Sequence, residues 1–256
     1  MASVGIVVPA YRPDAERLVE FVGALDERVA PDVIRIELDA PEPGVAERLA
    51  DLPATVNTAE RRRGKGAAIT AGFEALDTAV LAFADADGST PADSVADVIA
   101  PVRDGDADLA VGSRRHPRAE VRSHQTLARR RLGDAFAWLA RRFVAVGLYD
   151  YQCGAKALTR RTWERVRRHL YEPGFAWDVE LVAVAAALDC RIAEVPVVWE
   201  DHPESTVTVA DAVPELLAAV LAAPLRSWRL RGRPLPGVLD RGAREPALVD
   251  RLASDE

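Results

Sequence analysis

Apolar runs and helical periodicities alternate along the first half of the chain. Val4–Val8 is an apolar run of strand length. Asp14–Val29 places Leu18, Val19, Phe21, Val22 and Leu25 on one stripe, the spacing of an amphipathic helix. Val33–Leu38 reads as a strand, Val45–Leu52 as a short helix, Ala54–Val56 as a short strand and Gly66–Leu76 as a helix. Ala79–Ala84 is a fully apolar strand, followed by a helix over Ala92–Val102 and a strand at Leu109–Val111. A helix from Gln125 to Val146 mixes apolar residues with arginine. Cys153–Leu158 then reads as a strand or hairpin, and Arg161–His169 and Asp178–Leu188 as helices. Arg191–Trp199 reads as a strand ending in the loop Glu200–Ser205. This order predicts an α/β fold: a doubly wound, mostly parallel sheet with helices on both faces.

The same pattern divides the chain. Residues 1–208 form one α/β domain. An Ala/Leu/Val-rich helix over 209–231 follows, broken by Pro224 and trailed by Arg226, Arg229, Arg231 and Arg233. It reads either as an interfacial, membrane-surface helix or as a helix packed on the domain. In 232–256 Pro, Gly, Arg and acids dominate, which predicts a disordered tail. No run of eighteen apolar residues exists, so no membrane-spanning helix is expected. Val4–Pro9 reads as a strand rather than the core of a signal peptide. The expected location is the cytoplasm, with contact at the cytoplasmic membrane face left open.

Charge narrows the function. Over 256 residues the net charge is -7, which argues against a nucleic-acid partner. Lysine is nearly absent: only Lys65 and Lys156 occur, and arginine carries the remaining positive charge. Two residues kept against that trend are candidates for special duty. Cys153 and Cys190 lack metal spacing and read as buried free thiols. The four histidines are scattered, without triad or metal spacing.

Several segments carry candidate chemistry. In FADADGSTP an apolar strand delivers Asp85 and Asp87 two residues apart, before Gly88 turns the chain and Ser89-Thr90-Pro91 open a helix. That places two carboxylates at the carboxyl edge of the sheet, where open α/β folds bind ligands. Close carboxylates favour a hard divalent cation, Mg²⁺ or Mn²⁺, which would hold a diphosphate. In VVPAYRPD, Pro9 is expected to end the first strand and leave Tyr11 at the same edge, to stack on a base or to cap the core. Arg61-Arg62-Arg63-Gly64-Lys65-Gly66 precedes a helix; its glycines would let backbone approach a phosphate at the helix N-terminus. Nine arginines between Arg114 and Arg142 face only Glu120 and Asp134, a local positive field. LYDYQCGAKALTR places Asp150 before a Gln-Cys-Gly turn and Lys156. GFAWDVEL puts Trp177, Asp178 and Glu180 at a helix start, where Asp178 reads equally as an N-cap.

Together VVPAY, RGKGAAITAGFEA, FADADGSTP, VGSRR, DYQCGAKALTR, GFAWDVEL and EVPVVWEDHPEST resemble, in that order, the family 2 glycosyltransferases of the GT-A fold. The similarity is greatest to the dolichyl-phosphate (polyprenyl-phosphate) glucose and mannose synthases. It runs from Val4 to about Val209, and DYQCGAK is similar to the glucose branch. The resemblance implies a nucleotide sugar (UDP-glucose or GDP-mannose) touching Pro9, Ala10 and Tyr11. Asp39 would lie on the base or ribose side, Lys65 near the diphosphate, and Asp85 and Ala86 along the donor. It implies a metal held by Asp85 and Asp87 with Ser89 nearby. Asp87, Asp150, Arg114 and Arg129 would be catalytic, and Arg131, Gln152, Lys156, Trp177 and Asp178 would face the acceptor. The implied reaction is inverting, metal-dependent transfer of a hexose, glucose rather than mannose, to a polyprenyl or dolichyl phosphate.

Three departures stand out. Arg12-Pro13 follows Tyr11 where the family has Asn-Glu. ELDAPEPG leaves only Asp39 of an Asp-Asp-Gly-Ser run. Thr206 stands where a lysine is usual. A transferase with a non-lipid acceptor, and a non-catalytic paralogue that binds nucleotide sugars or membranes, are the alternatives. With a sugar hydroxyl as acceptor a base is needed, and Asp150 is the candidate. A same-fold nucleotidyltransferase would need a glycine-rich loop after the first strand, and VVPAYRPD has none.

Overall fold

The computed structural model describes residues 2–122, 146–200, 230 and 246–254. The helices expected over Gln125–Val146 and 209–231 lie outside these, each but for one residue. Arg129, Arg131 and Thr206 lie outside them as well.

A seven-stranded sheet forms the centre. Its strands are β1 (Val4–Tyr11), β2 (Val33–Asp39), β3 (Thr55–Ala59), β4 (Val80–Ala84), β5 (Leu109–Ser113), β7 (Ala155–Thr159) and β8 (Ile192–Pro196). The short strands β6 (Glu120–Val121) and β9 (Val198–Trp199) pair separately. The order is β3-β2-β1-β4-β7-β5-β8, and every pairing is parallel except those of β7. The expected mostly parallel, doubly wound sheet is therefore present, with one antiparallel strand inserted between β4 and β5.

Alternation along the strands builds two cores. Ile6, Val8, Ile36, Leu38, Val80 and Ala82 pack on one face with Leu18, Val22 and Leu25 of helix α1 (Ala15–Val29). The short helix α2 (Val45–Arg48) follows β2. Val7, Leu81 and Phe83 pack on the other face with Ile69 and Phe73 of helix α3 (Lys65–Ala75). Helix α4 (Ala92–Arg103) joins α1, its Val95, Val98 and Ile99 in the first core. Helices α5 (Arg160–Val166) and α6 (Trp177–Ala187) join α3. All eleven residues of α6 are buried, as its all-round apolar sequence demands. Its two acids, Asp178 and Glu180, must therefore find partners inside the protein.

Two expectations need correction. Pro9 does not end the first strand: β1 pairs with β2 as far as Tyr11↔Asp39. Pairing of β1 with β4 stops at Val7↔Phe83, so Pro9 has a strand neighbour on one side only, where proline is tolerated. The stretch expected to be disordered contains helix α7 (Leu248–Ser254), whose Leu248 is buried against Leu170 and the α3 core.

Candidate active site at the sheet's switch point

The strand order reverses between β1 and β4. Chains diverge there to opposite sides of the sheet and leave a crevice at the strands' carboxyl ends. Tyr11 ends β1 and Asp85 follows β4, so both sit at that crevice. The cleft is lined by Pro9, Ala10, Tyr11, Asp39, Lys65, Asp85, Ala86 and Asp87, all expected from the sequence at one site. It is also lined by Arg62 of the basic loop, by Arg12, which follows Tyr11, and by Arg17 and Phe175, which no sequence signal marked.

The chain's only two lysines meet at one carboxylate beneath this cleft. Lys65 Nζ lies 2.8 Å from Asp85 Oδ1 and 2.9 Å from Asp178 Oδ2. Lys156 Nζ donates to Asp178 Oδ1 at 2.5 Å and to the Cys153 carbonyl at 2.8 Å. Both ammonium groups lie over the Phe83 ring, at 5.2 Å and 5.5 Å from its centroid. Two positive and two negative groups thus balance, with Lys65, Lys156 and Asp178 withdrawn from water and Asp85 opening onto the cleft. Burial by itself would lower the Lys65 ammonium, but the Asp178 and Asp85 charges and hydrogen bonds hold it above its usual value. Burial would likewise raise the Asp178 carboxyl; Lys156 and Lys65 outweigh that and keep it below the usual carboxylate range.

Asp85 is different. Burial first, and then the charges of Asp87 and Asp178, push its carboxyl above the usual value despite Lys65. Its backbone N–H donates to Gly154 O at 2.9 Å, and the Cα of Gly154 backs the carboxylate. A Cβ at Gly154 would fall 2.0 Å from Asp85 Oδ2. The glycine of DYQCGAK is thus required by the first acid of FADADG. Asp87 Oδ1 accepts from Ser89 N at 2.9 Å; the backbone of Ser89, at the turn before α4, sets the second acid.

Several expected roles change. Lys156, Trp177 and Asp178, expected to face an acceptor, are buried, with Lys156 at 1% exposure. They support the cleft floor, because Asp178 is the shared partner of both lysines. Nor is Asp178 an N-cap: that place belongs to Ala176. Asp39 was expected beside the base or ribose. Its Oδ1 accepts from Arg63 Nε at 2.7 Å, and its Oδ2 from Arg63 N at 2.6 Å and Gly64 N at 3.2 Å. Arg63 also binds buried Glu37 at 2.8 Å, so Asp39 anchors the loop carrying Arg62 and Lys65. The glycines of RGKG serve protein packing. Gly64, at φ 101°, would place a Cβ 2.5 Å from Pro173 O, and Gly66 one 2.6 Å from Glu172 O. Pro173 O accepts from Ala67 N at 3.0 Å, filling the helix end expected to meet a phosphate.

Tyr11 projects into the cleft with the Arg62 guanidinium 4.4 Å and the Arg12 guanidinium 5.4 Å from its ring centroid. Beside the cleft, Arg114 grips Asp150 in a fork, Nε to Oδ2 at 2.7 Å and Nη2 to Oδ1 at 3.0 Å. Gln152 N adds a bond to Oδ1 at 3.0 Å. Burial would raise Asp150, but Arg114 and these bonds hold it well below the usual carboxylate range. A carboxylate so held is a poor proton acceptor, which weighs against Asp150 as a general base.

A reversing parallel sheet with its acids at the switch point is the architecture of the GT-A glycosyltransferases. Solved structures bear out the fold. Glucosyl-3-phosphoglycerate synthase from Mycobacterium tuberculosis, crystallised with Mn²⁺, UDP and glucosyl-3-phosphoglycerate, superposes with a TM-score of 0.63 at 18% identity. The match covers 92% of this chain and 82% of that one. Mannosyl-3-phosphoglycerate synthase from Rubrobacter xylanophilus gives 0.63 at 19% identity, over 92% and 77%. The sequence carries the assignment further: the family Glycosyl transferase family 2 matches residues 6–167, and the chain belongs to it. Glycosyltransferase AglD of Haloferax volcanii is 30% identical over 246 residues, 90% of this chain and 38% of that protein. The dolichyl-phosphate beta-glucosyltransferase of Mus musculus is 34% identical over 151 residues, 57% of this chain and 47% of that protein. The chain thus spans less than half the length of either relative.

Proposed function

We propose that this protein transfers a hexose, glucose in preference to mannose, from a nucleoside-diphosphate sugar to a polyprenyl or dolichyl phosphate with inversion. The observation that carries the reading is the meeting of Tyr11, Lys65, Asp85 and Asp87 in one cleft at the switch point. The names of the relatives, dolichyl-phosphate beta-glucosyltransferases among them, support the hexose and the lipid phosphate.

The acids fit a divalent cation. Burial and the neighbouring Asp87 already destabilise the Asp85 charge, and a cation would relieve both effects. Magnesium-type sites use one or two carboxylates and complete their shell with substrate phosphate oxygens and water. Asp85 and Asp87 would hold Mg²⁺ or Mn²⁺, and when bound it would neutralise charge on the departing diphosphate. The protein's own groups do the rest. Tyr11, with Arg12 and Arg62, offers a cationic aromatic wall for the nucleoside. Lys65, 2.8 Å from Asp85, stands ready for a diphosphate oxygen. In the reaction an acceptor phosphate oxygen attacks C1 of the hexose as the bond from C1 to the diphosphate breaks. The bonding pair leaves with the nucleoside diphosphate. An anionic acceptor needs no base, which suits a site where Asp150 is locked to Arg114.

The test incubates the full chain with Mn²⁺ and radiolabelled UDP-glucose or GDP-mannose, with and without polyprenyl phosphate. Label entering the organic phase only when lipid is present supports the reading. Absence of transfer under every combination overturns it, and donor binding without turnover points to the non-catalytic alternative.

A further inference from the structure

The C-terminal helix α7 has no part in the proposed chemistry, yet it packs against a cleft-lining segment that lacks regular structure. Residues 170–175 run between the 3₁₀ turn after α5 and the start of α6, and they end in Phe175, a wall of the cleft. Their backbone is held from three sides. From α7, Leu248 N donates to Leu170 O at 2.8 Å and Arg251 Nη2 donates to Tyr171 O. From α6, buried Glu180 Oε2 accepts from Tyr171 N at 2.8 Å and Glu172 N at 2.9 Å. From α3, Ala67 N donates to Pro173 O at 3.0 Å, two residues after Lys65. Leu248 is 3% exposed and anchors α7 in the same core as Ile69 and Phe73 of α3.

These contacts form a path from the C-terminal segment to the cleft. Glu180 and Ala67 sit on helices fixed by the sheet. α7 comes from beyond the central fold, and it holds the segment at its first two carbonyls. We propose that α7 is a positioning clamp, in which Arg251 and Leu248 fix residues 170–175 and so set Phe175 and the Lys65 helix start for donor binding. Neither residue touches the donor; both act through the segment. The consequence for affinity rests on the donor reading above, whereas the clamp itself does not.

Without the clamp, the bonds from α7 to the carbonyls of Leu170 and Tyr171 are lost and the segment samples positions with Phe175 outside the cleft wall. A donor must then select the ordered fraction, and its apparent affinity falls by that fraction. The experiment compares full-length wild type with Arg251→Met, Arg251→Lys and Leu248→Ala. Hydrogen exchange is read at residues 170–175, and calorimetry is run with UDP-glucose and Mn²⁺. In Arg251→Met, exchange at 170–175 should rise and UDP-glucose affinity should drop about tenfold, the loss of one charge-assisted bond. Arg251→Lys should recover much of both. A helix that merely added stability would lower the melting temperature while leaving exchange at 170–175 and donor affinity at wild-type values, and that result overturns the proposal. Should wild type fail to bind UDP-glucose, the donor reading falls. Exchange at 170–175 still decides the clamp: faster in Arg251→Met supports it, and unchanged overturns it. Arg251, only partly buried, can be changed without emptying the apolar core, so loss of fold in Leu248→Ala leaves the Arg251 comparison standing.

Discussion

Removing the ammonium of Lys156 tests the buried charge network most directly. In Lys156→Met the volume is nearly kept, but Asp178 Oδ1 and Cys153 O lose their donor. The local balance shifts from neutral to one net negative charge, shared by Lys65, Asp85 and Asp178. Lys156 and Asp178 are 0% and 2% exposed at their side chains, so water cannot replace the lost partner. Breaking a buried pair by removing one member typically costs about 3–5 kcal/mol. For a chain of this size each kcal/mol lowers the melting temperature by about 2–4 °C, which gives a fall of roughly 6–20 °C. Thermal unfolding of the purified variant, followed by circular dichroism at neutral pH, reads the number. The double variant Lys156→Met/Asp178→Asn restores neutrality, leaving Lys65 with Asp85, and should be more stable than Lys156→Met alone. A melting temperature within about 2 °C of wild type for Lys156→Met, or simple additivity in the double variant, would refute the coupled network.

Three further outcomes follow from the geometry. Asp87→Ala should cut transfer by at least about 10²-fold with the melting temperature nearly unchanged, since Asp87 holds only the Ser89 N–H among the described residues; turnover near wild type in the purified variant counts against the metal assignment. Gly154→Ala puts a Cβ 2.0 Å from Asp85 Oδ2 and 2.3 Å from its Cγ, so the acid must move. Steady-state rates should drop by about 10²-fold, as for other roughly ångström-scale displacements, and an unaltered rate would show that Asp85 does not need its present position. Asp150 is held below the usual carboxylate range, so its contribution to stability is present above the unfolded value of about 3.9 and is lost as pH falls below it. Asp150→Asn should therefore melt lower at neutral pH and lose less on acidification. Parallel melting curves for both proteins between neutral pH and about pH 3 would exclude that linkage.

How much of this was legible in the sequence follows from the range of each interaction. FADADG was readable because strand, turn and helix start are contiguous, so local pattern fixes where the acids go. The rarity of lysine pointed to Lys65 and Lys156, and both do sit in one cluster. Their roles were not readable, because Asp178, the partner that draws Lys156 inward, is 22 residues away in sequence. Asp39 looked available for the same reason: Arg63, which fills it, lies 24 residues on. The glycines of RGKG were expected to let backbone approach a phosphate; what approaches Gly64 is the carbonyl of Pro173 and what approaches Gly66 is that of Glu172, both more than a hundred residues on. β7, Ala155–Thr159, sets three apolar residues among Lys156 and Thr159, and so short a strand looks alike in parallel and antiparallel neighbours. Helix α7 escaped because tail composition was averaged over 232–256. Within it, Leu248 and Leu252 stand at i, i+4 in a seven-residue helix too short to change that average.

The division between arginine and lysine carries one more consequence. Of 33 basic residues only two are lysines, and both lie over the Phe83 ring and withdrawn from water, where a compact ammonium can sit against carboxylates. Arginine takes the cleft wall and its flank: Arg12 and Arg62 on Tyr11, and Arg114 in its fork with Asp150. The four groups of the floor are thus already neutral before any ligand arrives, and Asp87 beside them adds a single negative charge. A divalent cation binding alone would leave uncompensated positive charge above the floor. A cation arriving with a diphosphate adds charges that largely cancel, so the neutral floor is kept. The two should therefore bind together: Mn²⁺ alone weakly, UDP alone weakly, and each tightened by the other. Because coupling of two ligands is reciprocal, calorimetric titration of Mn²⁺ with and without saturating UDP, and of UDP with and without Mn²⁺, must give the same factor. An affinity for Mn²⁺ that is independent of UDP would show that the balance between Lys65, Lys156, Asp85 and Asp178 does not govern the site.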